Sequence, residues 1–364
     1  MSNTNGQNKK PFSLRQKLLF ALITVLLLLT VVFIFGEILV RSLVPEKATP
    51  PLPPPYNTAQ KDGYLGWRMT PAYSFDGKMK DQGGQEYEVS IRYDANGFKA
   101  FGDTLSERPK VLFTGDSYTA CIEVSNDKSF FNLLKDSLGL EVFAYGHAGY
   151  GTLQEYMVFD KWVDRIKPDV VVWEVCSNDF IDNYAPLEIA CGYKVGEHRP
   201  YLQPDGSIGY SLAVSTFQHL RKTSRFLDWL SERSENLFLA FSGREKRVGE
   251  YWISTKKRQY RPFDQAVGVT EKIVAKIKDR LPAGTQLLAF SADTYQPQLA
   301  EFQRIFEGNG FAFTAAPASF VERMAIEERV VTKARDGYHW NEKGHELIAT
   351  GLQPLLSEIL QSGK

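Results

Sequence analysis

Residues 169–175 read DVVVWEV, and this stretch decides the fold class. Val170, Val171, Val172 and Trp173 are consecutive apolar residues, so a strand formed here is apolar on both faces. A strand buried on both faces is typical of a parallel sheet that helices cover on each side. The residues directly after such a strand lie at the sheet edge where open α/β proteins bind ligands.

Apolar segments of the same kind recur on either side of this stretch and alternate with helical patterns. Strands are predicted at 111–114, 142–145, 169–175, 287–290 and 311–314. Helices are predicted at 130–138 and 152–166 and around 265–280, 296–307 and 342–360. This rhythm predicts an α/β fold with a doubly wound, mostly parallel five-stranded sheet.

Two segments depart from the rhythm. Residues 86–93 alternate apolar and polar side chains, as a half-buried strand does, and 60–105 is predicted to be a small β preface. Residues 180–262 are predicted to be an insertion after the third strand, with a turn at Pro204-Asp205-Gly206. The insertion either shapes a substrate cleft or is a surface elaboration.

The N-terminal region predicts a membrane anchor. Lys9, Lys10, Arg15 and Lys17 precede an uncharged run over 18–36, and a helix of that length spans about 28 Å, close to a hydrocarbon core. Positive charge on this flank predicts a cytoplasmic N-terminus. The predicted parts are 1–17 cytoplasmic, 18–40 transmembrane, 41–59 proline-rich linker and 60–362 extracytoplasmic domain. A cleaved signal peptide and a buried soluble helix are the alternatives.

Charge and cysteine content exclude some functions. Lys+Arg and Asp+Glu both number 43, so no basic field indicates nucleic acid as a partner. The three cysteines show no metal-ligand spacing, and we expect neither a metal nor a cofactor. Any disulfide is predicted to join Cys121 to Cys191, with Cys176 as a buried filler.

Four short motifs follow predicted strands or precede the last helix. They are Gly115-Asp116-Ser117, the Gly-rich block 146–152, Ser177-Asn178-Asp179, and Asp336-Gly337-Tyr338-His339. A serine hydroxyl needs a general base to act as a nucleophile. Asp and His three residues apart fit one tight turn, in which the Asp can hold Nδ1–H while Nε2 faces the serine. Each motif alone is also compatible with an ordinary turn or helix cap.

Together, in this order, the motifs resemble the sequence blocks of the SGNH (GDSL-like) hydrolase superfamily, over about residues 110–360, and the stretch 65–98 resembles the preface of its anchored bacterial envelope members. The resemblance implies a flavodoxin-like sheet. It also implies roles for individual residues: Ser117 as nucleophile, His339 as base, Asp336 as its orienter, Ser117, Gly149 and Asn178 as oxyanion donors, and Asp116 and Asp179 in support. Ala144, Cys176 and Tyr118 depart from the usual Asn, Gly and Leu of these blocks.

The expected function is serine-dependent hydrolysis of an acyl ester, on an envelope or extracellular substrate that can be carbohydrate-linked. Two alternatives stay open. One is acyl transfer to an envelope glycan by the same residues, and the other is a non-catalytic glycan-binding scaffold.

Overall fold

The computed structural model describes residues 13–45, 54–56, 58–192, 198–211, 220–221, 223–242 and 248–362. Residues 1–12 of the predicted cytoplasmic segment lie outside this range, as do residues 46–53 and 57 of the predicted linker. The chain forms two compact units, Met1–Pro50 with Val214–Glu245, and Pro51–Ala213 with Lys246–Lys364.

The strands in chain order are β1 (Ala59–Asp62), β2 (Gly66–Met69), β3 (Ser74–Lys80), β4 (Glu86–Arg92), β5 (Ala100–Phe101), β6 (Lys110–Gly115), β7 (Glu141–Gly146), β8 (Val170–Val175), β9 (Arg199–Leu202), β10 (Ile208–Ser211), β11 (Gln286–Ser291) and β12 (Ala312–Thr314). The helices are α1 (Leu14–Leu43), α2 (Ser117–Ala120), α3 (Phe130–Leu138), α4 (Thr152–Ile166), α5 (Asp179–Asp182), α6 (Ala185–Cys191), α7 (Arg225–Ser242), α8 (Val248–Lys256), α9 (Arg261–Arg280), α10 (Gln298–Gly308), α11 (Ala316–Glu327) and α12 (Glu342–Ser362).

The smaller unit contains α1 and α7. Helix α1 has 30 residues and a mean hydropathy of 3.2 over its most apolar window, so it is long and apolar enough to cross a membrane. Ser13 begins it with a capping box to Gln16. Near its other end, the Glu37 carboxylate accepts hydrogen bonds from Ser224 Oγ and Phe226 N at the start of α7.

The central sheet of the larger unit has the order β12-β11-β8-β6-β7-β5. Its first five strands are parallel neighbours, and in chain order their arrangement is 2-1-3-4-5, the flavodoxin-like order. The predicted α/β class and the five parallel strands are therefore confirmed. A sixth strand, β5, pairs antiparallel with β7. It has only two residues, which are too few to show the alternating pattern by which a strand is predicted from sequence.

The two faces of the sheet belong to two different hydrophobic clusters. Leu112 and Trp173 belong to one, and Phe113 and Val172 belong to the other, as the alternation of a strand requires. Cys121 lies in the second cluster and Cys191 in the first, so the sheet separates them. The predicted Cys121–Cys191 disulfide is wrong, and all three cysteines are buried thiols.

Residues of the β preface form a third cluster with Ala120 and Ile122. Strand β4 alternates as predicted, with Val89 and Ile91 buried and Glu88 and Ser90 exposed, and it pairs antiparallel with β3. In the insertion, the predicted turn at Pro204-Asp205-Gly206 joins β9 to β10 as a hairpin.

Candidate active site

Ser117 is the first residue of α2 and follows β6 after the single residue Asp116, at the carboxyl edge of the sheet. The Asp116 side chain caps α2 by accepting from Tyr118 N at 2.9 Å. The Glu174 carboxylate from β8 accepts from Asp116 N and from Thr119 Oγ1, each at 3.0 Å. A Cβ at Gly115 would lie 2.1 Å from that Glu174 oxygen, so glycine is required where the strand ends.

The Gly-rich block lets the nucleophile turn approach the next strand. A Cβ at Gly146, the last residue of β7, would lie 2.5 Å from the carbonyl oxygen of Asp116. Gly149 in the same block has φ +74°, a left-handed conformation that glycine adopts without strain. The block therefore follows the strand adjacent to β6, and Gly149 lies in the loop at the same sheet edge.

Ser117, His339 and Asp336 form one chain of hydrogen bonds. His339 Nε2 lies 2.8 Å from Ser117 Oγ, and His339 Nδ1 lies 2.5 Å from Asp336 Oδ2. The other Asp336 oxygen accepts from Tyr338 N and His339 N, which closes the tight turn that the three-residue spacing predicts. The arrangement is that of a nucleophile, its base and the group that orients the base.

The loop that carries His339 is held at both ends. Ala334 N donates to His339 O at 2.8 Å, and Lys333 forms a bridge with Trp340. The Tyr118 ring lies 5.1 Å from the imidazole, and its hydroxyl donates to Tyr338 O. Tyr118, the residue after Ser117, therefore supports the loop that carries His339.

The charges around the imidazole set its protonation. Burial alone would lower the pKa of His339, but the carboxylates of Glu123 and Asp336 outweigh it and raise that pKa to about 9. Burial likewise opposes ionisation of Asp336, yet the hydrogen bonds from His339 and the backbone hold its pKa below the ordinary value. The fraction of His339 in the free-base form therefore increases as the pH rises toward that value.

Asn178 lies next to Ser117. Its Nδ2 donates to Asp182 Oδ2 at 2.9 Å and lies 3.4 Å from Asp116 Oδ2, the oxygen that also accepts from Ser117 Oγ at 3.3 Å. Asp179 is fully buried, and its carboxylate accepts from Thr152 Oγ1 and Cys176 N, which ties the Asn-Asp block to the start of α4. The structure thus brings Ser117, Asp116, Asn178, Asp336 and His339 together.

Arg199 is a site residue that sequence reasoning missed. From β9 of the insertion, its Nη1 donates to Gly149 O at 2.7 Å and its Nη2 to Asp182 Oδ1 at 2.9 Å. Asp182 in turn accepts from the Asn178 amide, so one buried guanidinium connects both predicted oxyanion loops. Its Nε lies 3.2 Å from Glu188 Oε2. An arginine inside a polar insertion carries no sequence signal of this role.

Glu174, the second missed residue, did carry a signal. It is the charged residue inside the apolar stretch 170–175, and a carboxylate in such a strand needs a specific partner. Burial and the neighbouring Asp116 and Asp179 raise its pKa well above the ordinary value. By accepting from Asp116 N and Thr119 Oγ1, its carboxyl group fixes the backbone on both sides of Ser117.

Among the described residues, Glu123, Asp336 and His339 are grouped closely enough to offer a metal three ligand atoms within 4.8 Å of one another. Nδ1 is already hydrogen-bonded to Asp336 Oδ2, and Nε2 faces the serine. This geometry favours proton transfer over metal binding.

No family model matches the sequence, and a search of curated proteins finds no match. The solved structures to which the chain is similar include enzymes described as esterases. TesA is 13% identical, with a TM-score of 0.39, over 69% of this chain and 99% of its own. A family 3 carbohydrate esterase of Clostridium thermocellum is 14% identical, with a TM-score of 0.36, over 70% and 99%.

The psychrotrophic esterase EstA from Pseudoalteromonas sp. is 12% identical, with a TM-score of 0.38, over 69% of this chain and 98% of its own. Since these TM-scores are below 0.5, the chemistry of this chain rests on its own side chains.

Proposed function

We propose that this protein is a serine-dependent acyl-ester hydrolase of the SGNH type whose sequence blocks it resembles. The observation that carries the proposal is the chain of hydrogen bonds from Ser117 Oγ through His339 to Asp336, with distances of 2.8 and 2.5 Å. A hydroxyl, a base within hydrogen-bond reach and a carboxylate on the far nitrogen are the parts that acyl transfer through a serine requires.

In the first half-reaction, His339 Nε2 takes the Ser117 proton while Oγ attacks the acyl carbon. The developing oxyanion accepts hydrogen bonds from the backbone N–H groups of Ser117 and Gly149 and from the Asn178 amide. His339 then gives its proton to the departing alcohol oxygen, which leaves acyl-Ser117. In the second half, His339 takes a proton from water, the hydroxide attacks the ester, and the acid leaves as Ser117 regains its proton.

Covalent labelling tests the proposal. The full-length chain, purified in detergent, is incubated with a fluorophosphonate probe, and the modified peptide is identified by mass spectrometry. We expect one adduct on Ser117, lost in Ser117→Ala and kept in Ser254→Ala, a control serine exposed on α8. A folded wild-type protein that does not react, or reacts at another serine, contradicts the proposal.

We further propose that α1 is an uncleaved anchor with its N-terminus in the cytoplasm, which supports an ester-bearing envelope or extracellular substrate. The support is the basic flank before the apolar run and the length of α1.

The rings of the insertion favour hydrolysis over transfer to a sugar, because several bond within the domain: Tyr201 Oη contacts Glu188, Tyr184 Oη donates to Gln265, and Tyr210 Oη to Tyr64 O.

Incubating the full-length enzyme with an acyl donor, with and without glycan oligosaccharides, distinguishes the two reactions. We expect free acid to form faster than acylated oligosaccharide, as mass spectrometry would show. Faster formation of the acylated oligosaccharide would replace hydrolysis with acyl transfer.

A further inference from the structure

The loop that follows α2 is held by the β preface through its carbonyl oxygens. Tyr93 Oη donates to Ala120 O at 2.5 Å, and Tyr87 Oη donates to Glu123 O at 3.0 Å. The buried Lys99 Nζ donates to two further carbonyls of this loop, those of Cys121 and Val124. Four of the five carbonyls over residues 120–124 are thus fixed, although this loop contains no residue of the proposed triad.

This fixed loop holds the Glu123 side chain next to the imidazole ring of His339. Glu123 is 1% exposed, and its Oε1 lies 3.5 Å from His339 Nδ1, the nitrogen already bonded to Asp336. Oε1 has no hydrogen-bond partner within the part of the chain that the structure describes. A buried carboxylate oxygen without a donor is costly, so a nearby positive charge is needed to stabilise it.

We infer that Glu123 is a second carboxylate acting on His339, a positioning residue that stabilises the imidazolium formed when Ser117 loses its proton. This inference rests on the proposed function, in which His339 is the base. Asp336 bonds to Nδ1–H and Glu123 lies 3.5 Å from the same nitrogen, so both carboxylates favour the tautomer in which Nε2 accepts the serine proton. The added negative charge also makes the ring a stronger base.

Burial raises the pKa of Glu123 above its ordinary value, and the positive charges of His339 and Lys99 oppose that shift. Asp336 and Asp116 act in the same direction on the imidazole, whereas His345 from α12 is buried, and burial pushes its pKa well below the ordinary value and keeps it neutral. Burial likewise raises the pKa values of the neighbouring phenols and thiol, so they stay neutral: Tyr56, Tyr87, Tyr93 and Cys121. Lys99 is the nearby cation, and burial lowers its pKa to about 8.

Lys99 changes its charge in nearly the same pH range as His339, so every variant in the comparison retains Lys99. Glu123→Gln removes the charge and keeps the shape. Glu123→Asp keeps the charge and withdraws it from the ring. Glu88→Gln, on the exposed face of β4, is the matched control.

The test measures His339 directly by NMR of the full-length chain in detergent, labelled with ¹³C and ¹⁵N at its five histidines. The His339 signal is assigned by its loss in His339→Gln, and thermal melting confirms folding. We expect Glu123→Gln to lower the pKa of His339 by about one pH unit or more. Glu123→Asp should give a smaller decrease, and Glu88→Gln none.

The pH profile of fluorophosphonate labelling at Ser117 should move to lower pH by the same amount. An unchanged His339 pKa in folded Glu123→Gln overturns the inference. If that variant does not fold, an unchanged pKa in Glu123→Asp overturns it instead. A lowered pKa in a protein whose wild type never labels supports the role of Glu123 beside His339 and refutes the proposed hydrolase function.

Discussion

Arg199→Lys should damage both stability and catalysis, because one guanidinium makes contacts that an ammonium cannot reproduce. Arg199 is 2% exposed, donates to Gly149 O and Gln154 Oε1 through one nitrogen and to Asp182 Oδ1 through another, and lies beside Glu188 through Nε. Lysine keeps the charge next to the acids but offers three donors from a single point.

We estimate that the substitution loses about two of these hydrogen bonds. Each is worth roughly 1.5–3 kcal/mol because a charged group takes part. The free energy of unfolding should then fall by about 3 kcal/mol or more, which lowers Tm by roughly 6 °C or more in a domain of this size. The Gly149 and Asn178 loops lose their common support, so kcat should fall by about tenfold to a hundredfold, less than the loss of a whole oxyanion donor.

The assay combines thermal melting with hydrolysis of a short-chain chromogenic ester, measured well below both melting temperatures. Arg258→Lys is the matched control, since its pairs with Asp264 and Glu301 lie at the surface and should contribute less than about 1 kcal/mol. We expect KM to change little, because the damage is to the groups that the proposed mechanism assigns to the oxyanion. An Arg199→Lys protein with wild-type Tm and kcat would refute the assignment of Arg199 as the link between the two loops.

Four further predictions concern the triad and the anchor. Ser117→Ala and His339→Ala should each abolish ester hydrolysis without a large change in Tm, and full activity in either would contradict the triad. Asp336→Asn should reduce kcat by about 10²–10⁴-fold through the wrong tautomer, with residual activity above that of His339→Ala because Glu123 still faces Nδ1. Labelling of Ser117 should rise with pH and level off above about 9, where His339 loses its proton; a rate that is flat from pH 6 to 10 would contradict the raised pKa. Protease added outside spheroplasts should digest the domain, whereas protection until lysis would reverse the proposed topology.

The sequence predicts the central sheet well because its strands are apolar on both faces. Each of the five parallel strands was predicted to within one residue, and α3 and α4 were predicted at their observed bounds. Helix α11 was missed because its sequence, Ala316–Glu327, begins with Ala-Pro-Ala and has a weak apolar face. The disulfide prediction failed because Cys121 follows α2 and Cys191 ends α6, and sequence order does not show which face of the sheet each side chain occupies.

The active-site motifs were predictable because they are local. Asp336 and His339 share a turn, and Ser117 and Asn178 each follow a strand, so spacing and strand order place them at one edge. Arg199 acts on these motifs from a segment that is far away in the sequence. Glu123 acts on them from a loop that has no periodic sequence pattern. Their roles depend on long-range contacts, such as that between Arg199 and Gly149, which no local rule contains.

The β preface and the insertion therefore have similar roles, because each supplies contacts that orient groups at the edge of the central sheet. The preface fixes the loop that aims Glu123 at the base, through Tyr87, Tyr93 and Lys99. The insertion supplies Arg199, which connects the loops of Gly149 and Asn178 through Asp182. A parallel sheet alone brings the serine, the base and the amide to one edge, but it does not orient them to the tolerance that acyl transfer requires. In this chain the orienting contacts come from outside the βα repeat, so a version trimmed to residues 110–180 and 263–362 would lack the groups that hold both the base and the oxyanion loops.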